Sequence, residues 1–224
     1  MSEFLKKYWV MSLLAFIILS VAASSIICAV ARGEGDNGFM RVDSKPVVWK
    51  GTDLPISCFY SDVLHSHFHY MNDAIQRINS STNKIVFLSC YPWSMKTEYS
   101  NSRKKVVKGI VLVTSSVEDV EGEESVVVTT NKSVPIFSSV YHKNGNIYGV
   151  RVSADPDYKP WKESVRVKIM TNLYLRAFLN ALGLDNDRVK KSIMYPTGDA
   201  GTILLQKITD RDMKLLKSVY SGPK

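Results

Sequence analysis

The stretch from Met170 to Tyr220 constrains this chain more than any other. It opens with Leu173, Leu175, Phe178, Leu179 and Leu182, whose helical spacing predicts one apolar helix face. Gly183 follows at once, and a glycine there stops a helix by taking the left-handed conformation that other residues avoid. A short polar loop leads to Ser192-Ile193-Met194-Tyr195-Pro196, and Thr209 opens a last helix.

This order of features resembles the C-terminal half of a metzincin zinc metallopeptidase, most closely the matrixin type. In that family one helix carries His-Glu-x-x-His, a glycine ends it, a third His follows, and a Met-Tyr-Pro turn lies below the metal. With Gly183 as anchor, the first His falls at Arg176 and the Glu at Ala177. The second His falls at Asn180 and the third at Asn186. The step of eight residues from Asn186 to Met194 is the one the matrixin pattern uses. Ala181-Leu182-Gly183-Leu184-Asp185 also matches what usually follows the second His. The resemblance implies that Gly183 caps the helix and that Met194, Tyr195 and Pro196 form the turn. The frame is kept, and every residue that would hold or use zinc is replaced.

That departure decides the expected chemistry. Zinc takes thiolates, neutral imidazoles or carboxylates. Asparagine offers only a weakly basic amide oxygen, and arginine keeps its proton and repels a dication. Alanine at 177 cannot take a proton from water, so the general base is missing too. Neither a metal nor another cofactor is expected, and no residue is assigned a catalytic role. The Arg176 guanidinium is expected at or near the old metal position, bonded to Asn180, Asn186 or a carboxylate such as Asp185 or Asp187, the alternative being that its long stem carries the charge into open solvent.

Upstream, Tyr8 to Ala31 is an uncharged, mostly apolar run of 24 residues, long enough to span a bilayer as a helix. Lys6 and Lys7 before it favour a cytosolic N-terminus, with the remainder outside the cytosol in periplasm, lumen or extracellular space. Ala29-Val30-Ala31 also resembles a signal-peptide cleavage site, so the segment is either a retained anchor or a cleaved leader. The expected organisation is a cytosolic end (1–7), a transmembrane signal anchor or signal peptide (8–31), a glycine-containing linker (32–50) and one domain (51–224).

Strands are expected at Leu54–Tyr60, Ile85–Cys90, Gly109–Thr114, Val126–Val128 and Val134–Val140. A hairpin turn is expected at Asn144-Gly145, with the return strand running through Gly149–Val152. Helices are expected at His65–Ile78 and Val165–Leu182. The resulting class is α/β. In the metzincin manner it implies a twisted, mixed five-stranded sheet with packed helices, preceded by the transmembrane helix.

His65, His67 and His69 form a cluster, and His65 and His69 share a helix face at a spacing that can bind zinc, with Asp62 as a third ligand. The resemblance puts that helix on the far side of the sheet from the cleft, so polar surface or helix-start histidines are the expectation. His142, beside the hairpin turn, is expected to be exposed. The acidic run Glu118, Asp119, Glu121, Glu123 and Glu124 reads as a solvated loop rather than a calcium site, because a run does not show convergence. Cys58 and Cys90 fall in strands the family pairs side by side, and are either bridged or buried free thiols. Asn79-Ser80-Ser81 and Asn131-Lys132-Ser133 fit the glycosylation sequon.

The net charge of +8 favours anionic partners or serves ordinary solubility, and no basic stripe with interleaved aromatics suggests nucleic acid. The leading expectation is a membrane-anchored, catalytically inactive metalloprotease-like domain that binds a protein or peptide through its cleft or edge strand. The alternatives are a structural envelope or virion component without a peptide ligand, and an active metallopeptidase with a rearranged site.

Overall fold

The computed structural model describes residues 38–93, 109–115, 126–128, 134–160 and 162–220. All of them belong to one compact unit bounded by Asn37 and Lys224. The expected segments 1–7 and 8–31, the acidic run and the sequon at Asn131 lie outside the described residues. No helix among the described residues is long and apolar enough to cross a membrane.

The chain is α/β. Its strands are β1 (Arg41–Val42), β2 (Lys45–Pro46), β3 (Val48–Trp49), β4 (Ile56–Tyr60), β5 (Phe87–Pro92) and β6 (Ile110–Thr114). They continue with β7 (Val126–Val128), β8 (Ile136–Lys143) and β9 (Asn146–Ala154). The α-helices are α1 (Phe68–Thr82), α2 (Glu163–Ala181), α3 (Ala200–Leu205) and α4 (Asp210–Tyr220). A 3-10 helix at Asp62–His67 leads into α1, so the expected single helix from His65 is two elements.

The main sheet runs β5-β4-β6-β9-β8-β7, with β3 also paired to β9, which makes seven strands rather than the expected five. β4, β5, β6 and β9 are parallel neighbours, while β8 and then β7 are added antiparallel. The β8–β9 turn has positive φ at both Asn144 and Gly145, as a tight two-residue hairpin requires. β4 buries Ile56, Cys58 and Tyr60 and leaves Ser57 and Phe59 half-covered, the alternation of a strand with one face on a core. That core is filled by Met71, Ala74, Ile75 and Ile78 of α1 and by α2. In α2 every residue from Ile169 to Ala181 is buried, so it is the central helix of the unit.

The expected linker at 32–50 is folded from Gly38 onward. β1 and β2 pair with each other, β3 joins the main sheet, and Phe39 forms a bridge with Leu184. The Met40 N–H donates to the Gly183 carbonyl at 2.8 Å, and the Trp49 indole donates to the Ala181 carbonyl at 2.8 Å. This segment therefore covers the C-terminal end of α2, whose last carbonyls need partners. The domain starts near residue 38 and not at 51.

Cys58 and Cys90 are bonded to each other. They lie opposite one another on the parallel neighbours β4 and β5, and both are fully buried. The bridge closes a separation of 32 residues, for which loop entropy gives roughly 3–4 kcal/mol of stabilisation. Replacing both cysteines by alanine should lower the unfolding free energy by about that amount in a denaturant titration. An unchanged midpoint would count against the bridge.

Candidate functional site

A helix buried on every side has no solvent for its polar groups. In α2 these are Thr171, Asn172, Arg176 and Asn180, all buried. Arg176 is 1% exposed, and burial pushes its guanidinium down to about 10, still above neutral pH, so it keeps its charge. Its Nη1 donates to the carbonyls of Tyr195 at 3.2 Å and Thr197 at 2.9 Å. Its Nε and Nη2 have no hydrogen-bond partner among the described residues. The expected bonds to Asn180, Asn186 or an aspartate are therefore corrected: Arg176 reaches the Met194-Tyr195 turn instead. A long, planar donor fork suits backbone carbonyls that converge on one spot.

Asn180 Nδ2 donates to the Leu184 carbonyl at 2.8 Å, so its amide closes the end of its own helix. Asn186 is exposed, and its N–H donates to the Asp185 carboxylate at 2.7 Å. Ala177 is buried between these positions. The four residues singled out from the sequence are thus not one cluster. Arg176 and Asn180 lie on one face of α2, and Asn186 stands outside in solvent.

Gly183 ends α2 with φ of +91°. Its N–H donates to the Asn180 carbonyl at 2.8 Å, and the Leu184 N–H donates to the Leu179 carbonyl at 3.1 Å. These are the two bonds of a Schellman cap. The Tyr220 hydroxyl of α4 donates to the Leu182 carbonyl at 2.6 Å, completing the closure from the chain's far end.

The turn at Met194 is built from both sides. The Tyr195 N–H donates to the Ser192 carbonyl at 3.1 Å, and the Met194 N–H donates to Ser192 Oγ at 3.0 Å. Ser192 Oγ in turn donates to the Asp212 carboxylate at 3.2 Å. Asp212 also accepts from the N–H and hydroxyl of Thr209, both at 2.8 Å, so it caps α4 and braces the turn together. Burial raises the Asp212 carboxyl, against the hydrogen bonds from Thr209 and Ser192 that lower it. Met194 is 1% exposed and Pro196 is exposed. The Gln206 amide donates to the Tyr195 carbonyl at 3.0 Å, so Tyr195 receives both Gln206 and Arg176. The Thr209-x-x-Asp212 spacing was a legible signal for this brace; Gln206 carried none.

These residues do not fit a zinc ion. The set offers a protonated guanidinium, a methyl group and one unpartnered amide oxygen, Asn180 Oδ1, and a single weakly basic oxygen beside a cation does not make a zinc site. Among the described residues no three His, Cys, Asp or Glu side chains gather where they could hold a metal.

His65 and His67 stand at the start of α1 and His69 is exposed, as expected, while the burial of His67 and His142 is a correction. α1 packs directly against α2 rather than across the sheet from it. His67 is buried, and its Nδ1 shares a hydrogen bond of 2.8 Å with the Tyr174 hydroxyl of α2. Burial lowers the His67 pKa, with a further push from His69. Burial also raises the Tyr174 phenol. His65 pairs with the Tyr60 hydroxyl at 3.1 Å, and His69 is exposed against the Tyr70 ring. His142 is 1% exposed rather than open to water, and burial lowers its pKa. It pairs with Ile147 at the end of the hairpin where β3 also runs along β9.

The two edges of the main sheet differ. On β5, the Asn79 carboxamide oxygen accepts from the N–H groups of Val86 at 2.9 Å and Phe87 at 3.0 Å. Asn79 Nδ2 donates to the Phe87 carbonyl at 2.8 Å, and Asn72 Oδ1 accepts the Cys90 N–H at 2.9 Å. Side chains of α1 thus occupy backbone groups that another strand would need. The amide nitrogen of this sequon is committed to the fold. At the opposite edge, the three-residue β7 lies antiparallel on Ser139–Tyr141 of β8.

No protein-family model matches this chain, and no curated protein matches it. Among solved structures it is similar to the archaemetzincin of Methanopyrus kandleri, at 9% identity, over 74% of this chain and 94% of that one. The TM-score is 0.45, a likeness that by itself settles neither fold family nor activity.

Proposed function

We propose that residues 38–220 are a metzincin-like binding module that has lost hydrolysis and binds a protein or peptide by strand addition. The observation that carries this reading is Arg176, a buried cation directed at the Met194-Tyr195 turn from the position of the family's first zinc ligand. The guanidinium makes a direct link between central helix and turn, which removes the need for a metal to hold them. The helix stopped at Gly183, the buried Met194 and the terminal helix braced by Asp212 support the same frame. The asymmetry of the sheet supports the mode of binding. With β5 blunted by Asn72 and Asn79, the β7–β8 side is the edge that can accept a strand, as in β-augmentation. The run at 8–31 would tether the module to a membrane, facing away from the cytosol.

Elemental analysis of the dialysed full chain tests the first half, and far less than one zinc per chain is expected. About one zinc per chain, lost on Asn180→Ala, would overturn the inactive reading. Pull-down from native membranes tests the second half. Val127→Pro removes a backbone donor from β7 and should abolish recovery of a partner that the parent chain captures. Equal recovery by both would place binding elsewhere.

A further inference from the structure

A concavity of about 440 Å³ opens where α1, α2 and the stretch from Leu205 to Ile208 meet. Three cations from three different elements line it: Arg77 of α1, Lys168 of α2, and Lys207 between α3 and α4. Among the described residues no carboxylate lines it. Elsewhere on the surface the protein pairs such groups, Arg166 with Glu163 at 3.5 Å and Arg211 with Asp187 at 3.6 Å. Among the described residues the three cations of the concavity have no such partner. Like charges gathered around one hollow repel each other, and an anion placed between them relieves that repulsion.

The base of the hollow is already built. Asn172 and Gln206 are 1% and 3% exposed. Asn172 Nδ2 donates to the carbonyls of Ile203 at 2.8 Å and Gln206 at 3.1 Å, and Gln206 donates to Tyr195. Beside this polar floor stand Leu175, Ile208 and Leu205, and Leu205 is 74% exposed. A large apolar side chain held in water among three cations is an unusual neighbour for a purely ionic site.

We propose that this hollow binds a phosphate monoester carrying an apolar group. A phosphate dianion presents several terminal oxygens at once, which matches one planar guanidinium fork and two ammonium point charges. The apolar part would cover Leu205 and Ile208. The same chemistry comes from a soluble phosphomonoester or from a lipid headgroup. This inference does not depend on strand addition at β7.

The full chain in neutral detergent is titrated calorimetrically with inorganic phosphate, phenyl phosphate and dihexanoyl phosphatidate. Saturable binding of at least one organic phosphate is expected, about tenfold tighter than inorganic phosphate, because the apolar part adds contact. Changing Arg77, Lys168 and Lys207 together to Gln should weaken it by about tenfold or more, the scale of lost charge-assisted bonds. These exposed substitutions leave the fold intact, and Lys217→Gln, outside the hollow, is the single-charge control and should change nothing. Leu205→Ser should erase the preference over inorganic phosphate. The tighter of the two organic ligands names the source: phosphatidate for a lipid, phenyl phosphate for a soluble ester. No saturable binding up to about 10 mM, or equal binding by the triple variant and the Lys217→Gln control, would overturn the proposal. So would inorganic phosphate binding as tightly as the better of the two esters.

Discussion

Gly183→Ala should cost about 4 kcal/mol or more, the range reserved for special backbone sites and overpacked cores. Two separate causes add here. The φ of +91° is one that residues with a Cβ rarely adopt, and the Schellman bonds to Asn180 and Leu179 hold it there. A Cβ would also run into the Val47 carbonyl oxygen, because the chain from Met40 to Trp49 crosses closely at this point. Backbone cannot swing aside as a flexible side chain can. A domain has only about 5–15 kcal/mol in total, so the loss removes from about a quarter to most of the stability, and the variant is expected to melt far below the parent. A soluble variant whose unfolding free energy lies within about 1 kcal/mol of the parent, the size of an ordinary point mutation, would refute the assigned cap.

Met194→Ala should cost about 2–5 kcal/mol, the usual range for a buried large-to-small change. The backbone bonds of the turn do not involve the methionine side chain: the N–H goes to Ser192 and the carbonyl accepts from Asp187 at 3.0 Å. The loss is therefore of packing, and the turn itself should survive. Pro196→Ala, at an exposed neighbour, is the comparison and should move the melting temperature little. Equal melting temperatures for the Met194 variant and the parent would mean that the turn is not packed against the core.

Local signals in the sequence were read well. Gly183, the Asn144-Gly145 turn and the long apolar helix each announce themselves within a few residues, because capping and turn chemistry are local. The alternation in β4 was equally plain. What escaped was long-range. β1, β2 and β3 are two residues each, too short for any pattern, and what holds them is the end of a helix far along the chain. His67 and His142 look like surface residues by type, and only the packing of α1 on α2, or of the hairpin end, buries them. The partners of Arg176 were misjudged because the sequence shows which side chains are near on a helix face, not which carbonyls lie opposite.

The asparagines on β5 have a consequence for assembly. A sheet open on both sides can add strands without limit, and identical chains can then stack into fibres. Here Asn72 and Asn79 give one side's backbone groups to α1. On the proposed reading, a strand recruited at the other side would meet no second receptive edge among the described residues, so the count would stop at one. A module binding as proposed would be monovalent, and its valence would depend on two carboxamides far from the recruiting edge. A glycan joined to Asn79 would replace one hydrogen of Nδ2 and leave Oδ1 to accept from Val86 and Phe87, so the cover on this side does not require the sequon to stay unused.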